Sequence, residues 1–133
     1  MLLVELGTFL QTAGDGTLGT DLFLGPLPDT PDVCTALYEY GGFAPEGDIG
    51  AGGAIRYEFP RVQVAVRHTS YATGRAKIDT VCDRLCGISN ETLSGVYYVG
   101  AWPVQSPYLL DEDENGRWIF AVNFDVHKKP SSS

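Results

Sequence analysis

A strict alternation near the end of the chain constrains the fold more than any other feature. Residues 118–127, WIFAVNFDVH, place apolar side chains at every second position. Because successive side chains of a β-strand point to opposite faces of a sheet, this pattern predicts a strand with one buried face. RVQVAVRH, residues 61–68, alternates in the same way. The side chains predicted to face a core are Trp118, Phe120, Val122, Phe124 and Val126 in the first run and Val62, Val64 and Val66 in the second.

Two other segments have the spacing of amphipathic helices. Residues 2–13 repeat apolar side chains at intervals of three and four positions and precede Gly14, a suitable C-terminal cap. Residues 71–87 have the same period, with Ser70 as the predicted N-cap and Gly87 as the stop. The apolar stripe predicted for this second helix consists of Ile78, Val81, Cys82, Leu85 and Cys86.

Shorter β-segments complete the pattern. Apolar runs bounded by turn residues predict four more strands, at residues 21–24, 33–40, 96–102 and 108–110. Asn115-Gly116 marks a hairpin before the final strand. The order is therefore helix, three strands, helix, three strands, which predicts a single α+β domain over residues 1–128. Two helices pack on its mainly antiparallel β-sheet.

Two stretches fall outside these predicted elements. Residues 41–60 contain six glycines, and this composition predicts a long Gly-rich loop. Residues 129–133 are predicted to form an exposed C-terminal tail.

The charge balance restricts the partners. The 133-residue chain has 17 acidic residues and nine Lys and Arg, and its net charge is −8. Sequence-specific nucleic-acid binding requires clustered Lys and Arg, so the composition argues against it. An acidic surface instead lets DNA pass without sticking. No apolar stretch approaches the roughly 20 residues that cross a bilayer, which argues against a membrane partner. Three cysteines suit a reducing compartment better than a disulfide scaffold.

GDGTLG, residues 14–19, has the G-x-G-x-x-G spacing of a dinucleotide-binding loop. Such a loop follows a strand and opens a helix, whose N-terminus binds the pyrophosphate. Here the predicted helix comes first, so phosphate would meet the negative end of its dipole and the carboxylate of Asp15. The six residues are therefore interpreted as the turn that ends the first helix and begins the first strand.

DEDENG, residues 111–116, matches the first half of a calcium-binding loop. Position twelve of that loop requires a bidentate glutamate but falls on Val122, which excludes a complete EF-hand. A solvated hairpin tip explains these acids better, with a weaker half-site as the open alternative.

The nucleophilic and metal-binding residue types form no convincing site. Cys82 and Cys86 lack a CxxC pair or a nearby histidine, and are predicted to be core residues rather than zinc ligands. His68 and Ser70 are close in sequence, but no orienting acid or G-x-S-x-G elbow accompanies them. We therefore expect no enzyme activity, no cofactor and no metal.

The order of five segments resembles a known group of phage proteins. These segments are LGTDLFLGPLPDTPD, YEYGG, PRVQVAVR, YATGRAKIDTVCDRLCG and WPVQSPYLLDEDENGRWIFAVNFDVH. The chain resembles the minor capsid or tail-completion proteins of long-tailed bacteriophages, a group that includes the tail terminators, over most of residues 1–128.

The resemblance implies a non-enzymatic structural protein of the virion that is assembled in the host cytoplasm. Tail terminators are α+β subunits that form a hexameric ring on the end of the tail tube and dock to the head-side connector or stopper protein. DNA would pass through the ring lumen without specific binding. The alternatives are a head-completion or stopper protein of the neck and, as a third class, a small ligand-binding domain.

Residue roles in such a ring are hypotheses. The acids considered for the lumen are Glu46, Asp48, Asp111, Glu112, Asp113 and Glu114, with solubility as the alternative explanation for the acidic run. The residues considered for contacts between subunits, on the polar face of the sheet, are Arg61, Arg67 and Asp125, with a solvated face as the alternative.

Overall fold

A computed structural model describes residues 2–47 and 56–129 of the chain. The two helices are α1 (Leu2–Thr12) and α2 (Tyr71–Cys86). The strands are β1 (Leu22–Leu24), β2 (Cys34–Gly47), β3 (Arg56–His68), β4 (Ser89–Leu93), β5 (Val96–Pro103), β6 (Tyr108–Glu112) and β7 (Trp118–Lys128).

The seven strands form one sheet in the order β1-β2-β3-β7-β5-β4, with β6 also paired to β7. β1 and β2 are parallel, and the other pairs are antiparallel. β5 and β6 follow one another along the same edge of β7, since Pro103 pairs with Phe124 and Tyr108 pairs with Ala121. The α+β fold with a mainly antiparallel sheet is confirmed.

Both helices pack on one face of the sheet and complete a single hydrophobic core. The alternating residues of β3 and β7 supply the sheet side of this core, and Val64 and Val122 are completely buried. Gly74 lets α2 approach the sheet closely, because a Cβ at this position would lie 2.8 Å from the Cβ of His68 and 2.9 Å from Cε2 of Phe120. The core predicted from the alternation is therefore confirmed.

The glycine-rich segment after α1 is a turn, as predicted. Gly14 and Gly19 have φ values of +88° and +83°, in the left-handed region that favours glycine. Asp15 between them is buried and accepts a hydrogen bond of 3.1 Å from Nε of Arg84. The segment therefore fastens the end of α1 to α2, and β1 follows it.

The prediction of a loop over residues 41–60 is wrong for the described part of that range. β2 continues to Gly47 and β3 begins at Arg56, with Phe43 opposite Phe59 and Glu46 opposite Tyr57. Pairing between the two strands satisfies the backbone N–H and C=O groups, which glycine carries like other residues, so the high glycine content does not prevent strand formation. Residues 48–55, and 130–133 of the predicted tail, lie outside the described residues.

Two smaller predictions also need correction. β4, Ser89–Leu93, was not predicted, because four of its five side chains are at least partly exposed and it lacks an apolar alternation. Cys86 is exposed rather than part of the core, since the apolar stripe of α2 ends at Leu85. Cys82 is buried as predicted.

Candidate functional site

The face of the sheet opposite the helices is the main candidate for interaction. We call it the helix-free face, because within the described chain neither α1 nor α2 packs on it. Tyr38, Gln63 and Asn123 lie side by side across it on β2, β3 and β7. At one end the segment before β2 folds over the sheet and accepts two hydrogen bonds from Arg67, at Pro31 O (2.7 Å) and Asp32 O (3.2 Å). Beyond this segment part of the face is exposed, as Tyr40 is at 39%.

The open part of this face is a groove of about 540 Å³. Its lining comprises Leu27, Tyr38, Glu39, Tyr40, Gln63, Ala65, Leu110, Asp111, Ile119 and Asn123. Aromatic and aliphatic side chains thus surround two amides, and Oδ1 of Asn123 is buried without a hydrogen-bond partner among the described residues. A lining of this kind can receive an apolar side chain and one hydrogen-bond donor.

An aromatic cluster occupies the other end of the helix-free face. His127 has its ring centroid 4.9 Å from that of Tyr57, 4.6 Å from that of Phe59 and 6.5 Å from that of Trp102. About half of the Trp102 surface, 51%, is exposed. Large exposed aromatic side chains are common at protein–protein contacts, so the cluster extends the candidate surface along the sheet.

Two strand edges are open as well. β1 pairs with β2 only from Thr35 to Leu37, so no described strand covers the outer edge of β2 from Tyr38 onward. On the opposite side of the sheet, β6 pairs with β7 alone. Leu109 and Leu110 of β6 are 43% and 47% exposed on opposite faces, because Leu109 pairs with the core residue Phe120 whereas Leu110, where the register with β7 shifts, lines the groove.

The residues predicted to make contacts between subunits make contacts inside this chain. Nε of Arg61 donates a hydrogen bond of 2.7 Å to Oδ1 of Asp125 on the helix-free face, and both side chains are partly exposed. Arg67 is buried, so the prediction that it lies on an exposed polar face is wrong. The alternation of β3 correctly predicts that Arg67 lies on the helix-free face, but the segment containing Pro31 and Asp32 covers its side chain.

The acidic hairpin separates into one paired acid and three exposed ones. Asp113 lies 2.6 Å from Nε of buried Arg117 and also accepts hydrogen bonds from the backbone N–H groups of Asn115 and Arg117. Desolvation raises the pKa of Asp113, but these bonds outweigh it and hold the pKa below its usual range. Exposed side chains are those of Asp111, Glu112 and Glu114. Glu46 lies in β2, and Asp48 is outside the described residues.

Most basic side chains are engaged within the chain, which leaves acids in excess on the described surface. Seven of the nine Lys and Arg side chains donate to acceptors inside the chain: Arg61, Arg67, Arg75, Lys77, Arg84, Arg117 and Lys128. Arg117 and Lys128 are buried. A nucleic-acid strand would therefore find no strip of free cations on the surface that the structure describes.

The candidate catalytic residues have structural roles. Ser70 is the N-cap of α2: its Oγ accepts a hydrogen bond from the backbone N–H of Thr73, and its own N–H donates to Nδ1 of His68 at 2.9 Å. Burial raises the pKa of the Cys82 thiol to about 12, which keeps it protonated and unreactive. Among the described residues, no three His, Cys, Asp or Glu side chains are arranged to hold a metal ion.

Comparison with protein families decides the identity. The model of the bacteriophage tail terminator protein family matches residues 9–130, which is most of the chain. The chain belongs to this tail terminator family. The resemblance inferred from the segment order is confirmed, and the tail terminator family identifies a structural protein of the phage tail.

A solved structure supports the same fold. A chain titled "Virion of native gene transfer agent (GTA) particle" is 19% identical and aligns with a TM-score of 0.51, over 94% of this chain and 84% of that chain. At this identity the likeness concerns the fold. The comparison with curated protein sequences gives no match. In the ranges 2–47 and 56–129, neither helix of this tail terminator family member is long and apolar enough to cross a bilayer.

The open strand edges and the groove have little signal in the sequence. The one local signal was Leu109-Leu110, two adjacent apolar residues that break the alternation expected of a half-buried strand. The groove itself has no local signal, because Leu27, Tyr38 and Ile119 meet only when distant strands pair.

Proposed function

We propose that copies of this chain assemble into a closed ring, a hexamer in keeping with the resemblance, on the end of the phage tail tube. The ring stops tube growth, and its other side docks to the head-side connector or stopper protein. The family match over residues 9–130 carries this proposal. The apolar surface on the helix-free face and at the open strand edges supports it, because such surface is normally covered by another chain.

The proposed lumen is acidic, so that DNA passes through it without binding. Asp111, Glu112 and Glu114 are the preferred lining acids because they are exposed, whereas Arg117 neutralises Asp113. The alternative lining acids are Glu46 and Asp48. The ring assembles in the host cytoplasm and becomes part of the virion.

Contacts between copies are proposed to include Arg61 and Asp125. Their side chains are 33% and 39% exposed, and Arg61 on β3 pairs with Tyr40 at the open edge of β2, so a neighbouring copy can add hydrogen bonds to this pair. Arg67 is left out of this role because it is buried beneath the segment before β2.

Native mass measurement and electron microscopy with purified tail tubes test this function. We expect a ring mass that is a multiple of the 14.4 kDa chain and density that caps one end of the tube and prevents its elongation. A protein that fails to cap tubes but binds the portal side would be a stopper. A stable monomer that binds nucleotide or calcium would contradict the ring altogether.

A charge reversal tests the lumen acids separately. Glu114→Lys places a cation at the hairpin tip, and we expect particles with this variant to assemble but to release their DNA more slowly. Asp83→Lys makes the same charge change on the exposed face of α2 and is the matched control. Equal release rates for both variants would remove the hairpin from the lumen.

A further inference from the structure

We infer that neighbouring copies join by strand addition, with β6 of one copy paired along the open outer edge of β2 of the next. The sheet would then continue from copy to copy. This inference rests on the proposed ring and specifies which surfaces hold it together.

The outer edge of β2 is the longer of the two open edges. β1 covers it from Thr35 to Leu37, and from Tyr38 to Gly47 no described strand lies on that side. An edge of this length presents a row of backbone N–H and C=O groups that another strand can pair with. The occupant that this chemistry selects is an extended strand.

β6 has the complementary properties. Its inner edge pairs with β7, while β4 pairs with β5 and leaves the outer edge of β6 uncovered within the described chain. Leu109 and Leu110 show that β6 is uncovered on both faces too. An exposed strand with two large apolar side chains is a hazard for aggregation unless a partner covers it.

Strand direction makes a second copy the fitting partner. β2, β3, β7 and β6 lie side by side, and each is antiparallel to its neighbour. β6 therefore runs opposite to β2, so the β2 of an identically oriented copy meets β6 in an antiparallel arrangement. Because the two edges are on opposite sides of the subunit, the contact is head-to-tail, the type that closes into rings.

The register adds a geometric condition. Leu109 of β6 pairs with Phe120, Phe120 with Val66, and Val66 with Thr35 of β2, so Leu109 and Thr35 lie at the same position along the strand direction. The open edge of β2, however, begins only at Tyr38. The next copy must therefore be displaced along the strand direction. Tilted strands in a closed sheet impose a displacement of this kind.

The side chains on the two edges also match. Tyr40 of β2 and Leu110 of β6 both line the groove on the helix-free face, and they are 39% and 47% exposed. In a continued sheet they lie on the same face, where an aromatic and an aliphatic side chain pack across strands. β4 is less suitable as the joining strand, since Asn90 has a φ of +47° that interrupts its ladder.

Cysteine cross-linking tests the contact directly. Tyr40→Cys is combined with Leu110→Cys in a Cys86→Ser background, which removes the exposed native thiol. Within one copy β3 and β7 lie between these positions and separate them by three strand spacings, about 14 Å across the sheet, with a further offset along the strands. This is beyond the roughly 7 Å limit for a disulfide between Cα atoms. Oxidation of rings on tail tubes should therefore give a ladder of covalent multimers.

The matched control moves one cysteine to the other face. Glu39→Cys with Leu110→Cys differs by a single position on β2. Glu39 borders the groove, but it pairs with the core residue Val62, so strand alternation directs its side chain to the helix side. We expect at least tenfold less cross-linking from this pair. Equal cross-linking of both pairs, or of neither, would overturn the strand pairing.

Charge insertion provides a second readout. Leu110→Lys places a charge on the open edge, and we expect the monomer–ring equilibrium to shift at least tenfold towards monomer. Val4→Lys, at an equally exposed apolar position on α1 (43%), should leave the equilibrium unchanged.

The outcomes separate the two proposals. Normal ring formation by Leu110→Lys, together with no cross-linking of the variant with Tyr40→Cys and Leu110→Cys, overturns the strand pairing but leaves the ring intact. An unmodified protein that stays monomeric both alone and with tail tubes overturns the ring and, with it, the strand pairing. A disulfide from Leu110→Cys to a cysteine-bearing tail tube protein, instead of to a second copy, assigns the edge to that protein and overturns the inference.

Discussion

Lys128, at the end of β7, donates a hydrogen bond of 2.9 Å from Nζ to Oε1 of Glu5 in α1. Both residues are buried, and the hydroxyl of Tyr98 donates to the same oxygen at 2.6 Å. A helix at the start of the chain is thus fastened to the last strand through a charged pair in the core. Removing one partner from such a pair costs more than replacing both.

Lys128→Met is therefore expected to lower the free energy of unfolding by up to about 3–5 kcal/mol, because it removes one charged donor from a buried carboxylate that keeps its hydrogen bond from Tyr98. The double variant Glu5→Gln with Lys128→Met is the control. Its neutral amide still accepts from Tyr98, so we expect a much smaller loss. Urea denaturation monitored by tryptophan fluorescence measures both, and equal losses would contradict the role of the pair.

The same contacts predict a loss of stability in acid. Burial alone raises the pKa of Glu5, but hydrogen bonds from Tyr98 and Lys128 contribute to holding it below its ordinary value of 4.5. The unfolded chain then takes up this proton at a higher pH than the folded chain does. The contribution is fully present above pH 4.5 and is lost as the pH falls through the lower folded value.

Urea denaturation at a series of pH values from about 7 down to about 3 checks this sign. Glu5→Gln should flatten the fall in stability below pH 4.5 and leave a smaller slope from other acids. A variant that keeps the slope of the unmodified protein would show that Glu5 is not the group responsible.

Arg117 is expected to stabilise the β6–β7 hairpin and the segment before β2 together. It pairs with Asp113 at 2.6 Å and also donates to the carbonyl of Asp29 at 2.6 Å. Arg117→Lys loses the planar fork that reaches both, so we expect a lower urea midpoint and faster amide exchange in the hairpin. Arg75→Lys is the matched control, since Arg75 pairs with Asp79 at the same i,i+4 spacing on an exposed helix face. Exposed pairs of this kind contribute up to about 0.5 kcal/mol, so a control with an equal effect would contradict the prediction.

The three cysteines should differ in reactivity. Cys86 is exposed, whereas Cys34 and Cys82 are buried and burial raises the pKa of both thiols, that of Cys82 to about 12. A thiol reagent at neutral pH should label one cysteine in the native protein and three after unfolding. Rapid native labelling of Cys82 would contradict its place in the core.

The parts of the fold that were predicted correctly are those in which local period and burial coincide. The apolar residues at every second position of β3 (Val62, Val64, Val66) and of β7 (Phe120, Val122, Phe124, Val126) are buried, so the period of two is visible in the sequence. The turn at Gly14 was predicted because a helix end and a glycine requirement are both local. In β4, by contrast, pairing with β5 stabilises a strand that has no such period.

The candidate site was only partly predictable. The exposed acids Asp111, Glu112 and Glu114 follow from composition alone. The burial of Arg67 does not, since its strand position predicts a solvated face and only the segment containing Pro31 covers it. The ends of β2 and β3 are a further case, because the glycines there predicted a loop and cross-strand pairing forms a strand instead.

The sequence by itself determined the class of protein: both helices and six of the seven described strands, most of the core residues, the acidic charge and the resemblance to phage tail proteins. These depend on periodicity and composition, which are local properties of the chain. Tertiary structure alone decided which strand edges stay open and which charges are neutralised. Whether β6 or β2 has a neighbouring strand depends on pairings between segments far apart in sequence. The same holds for which acceptor each Lys and Arg side chain contacts.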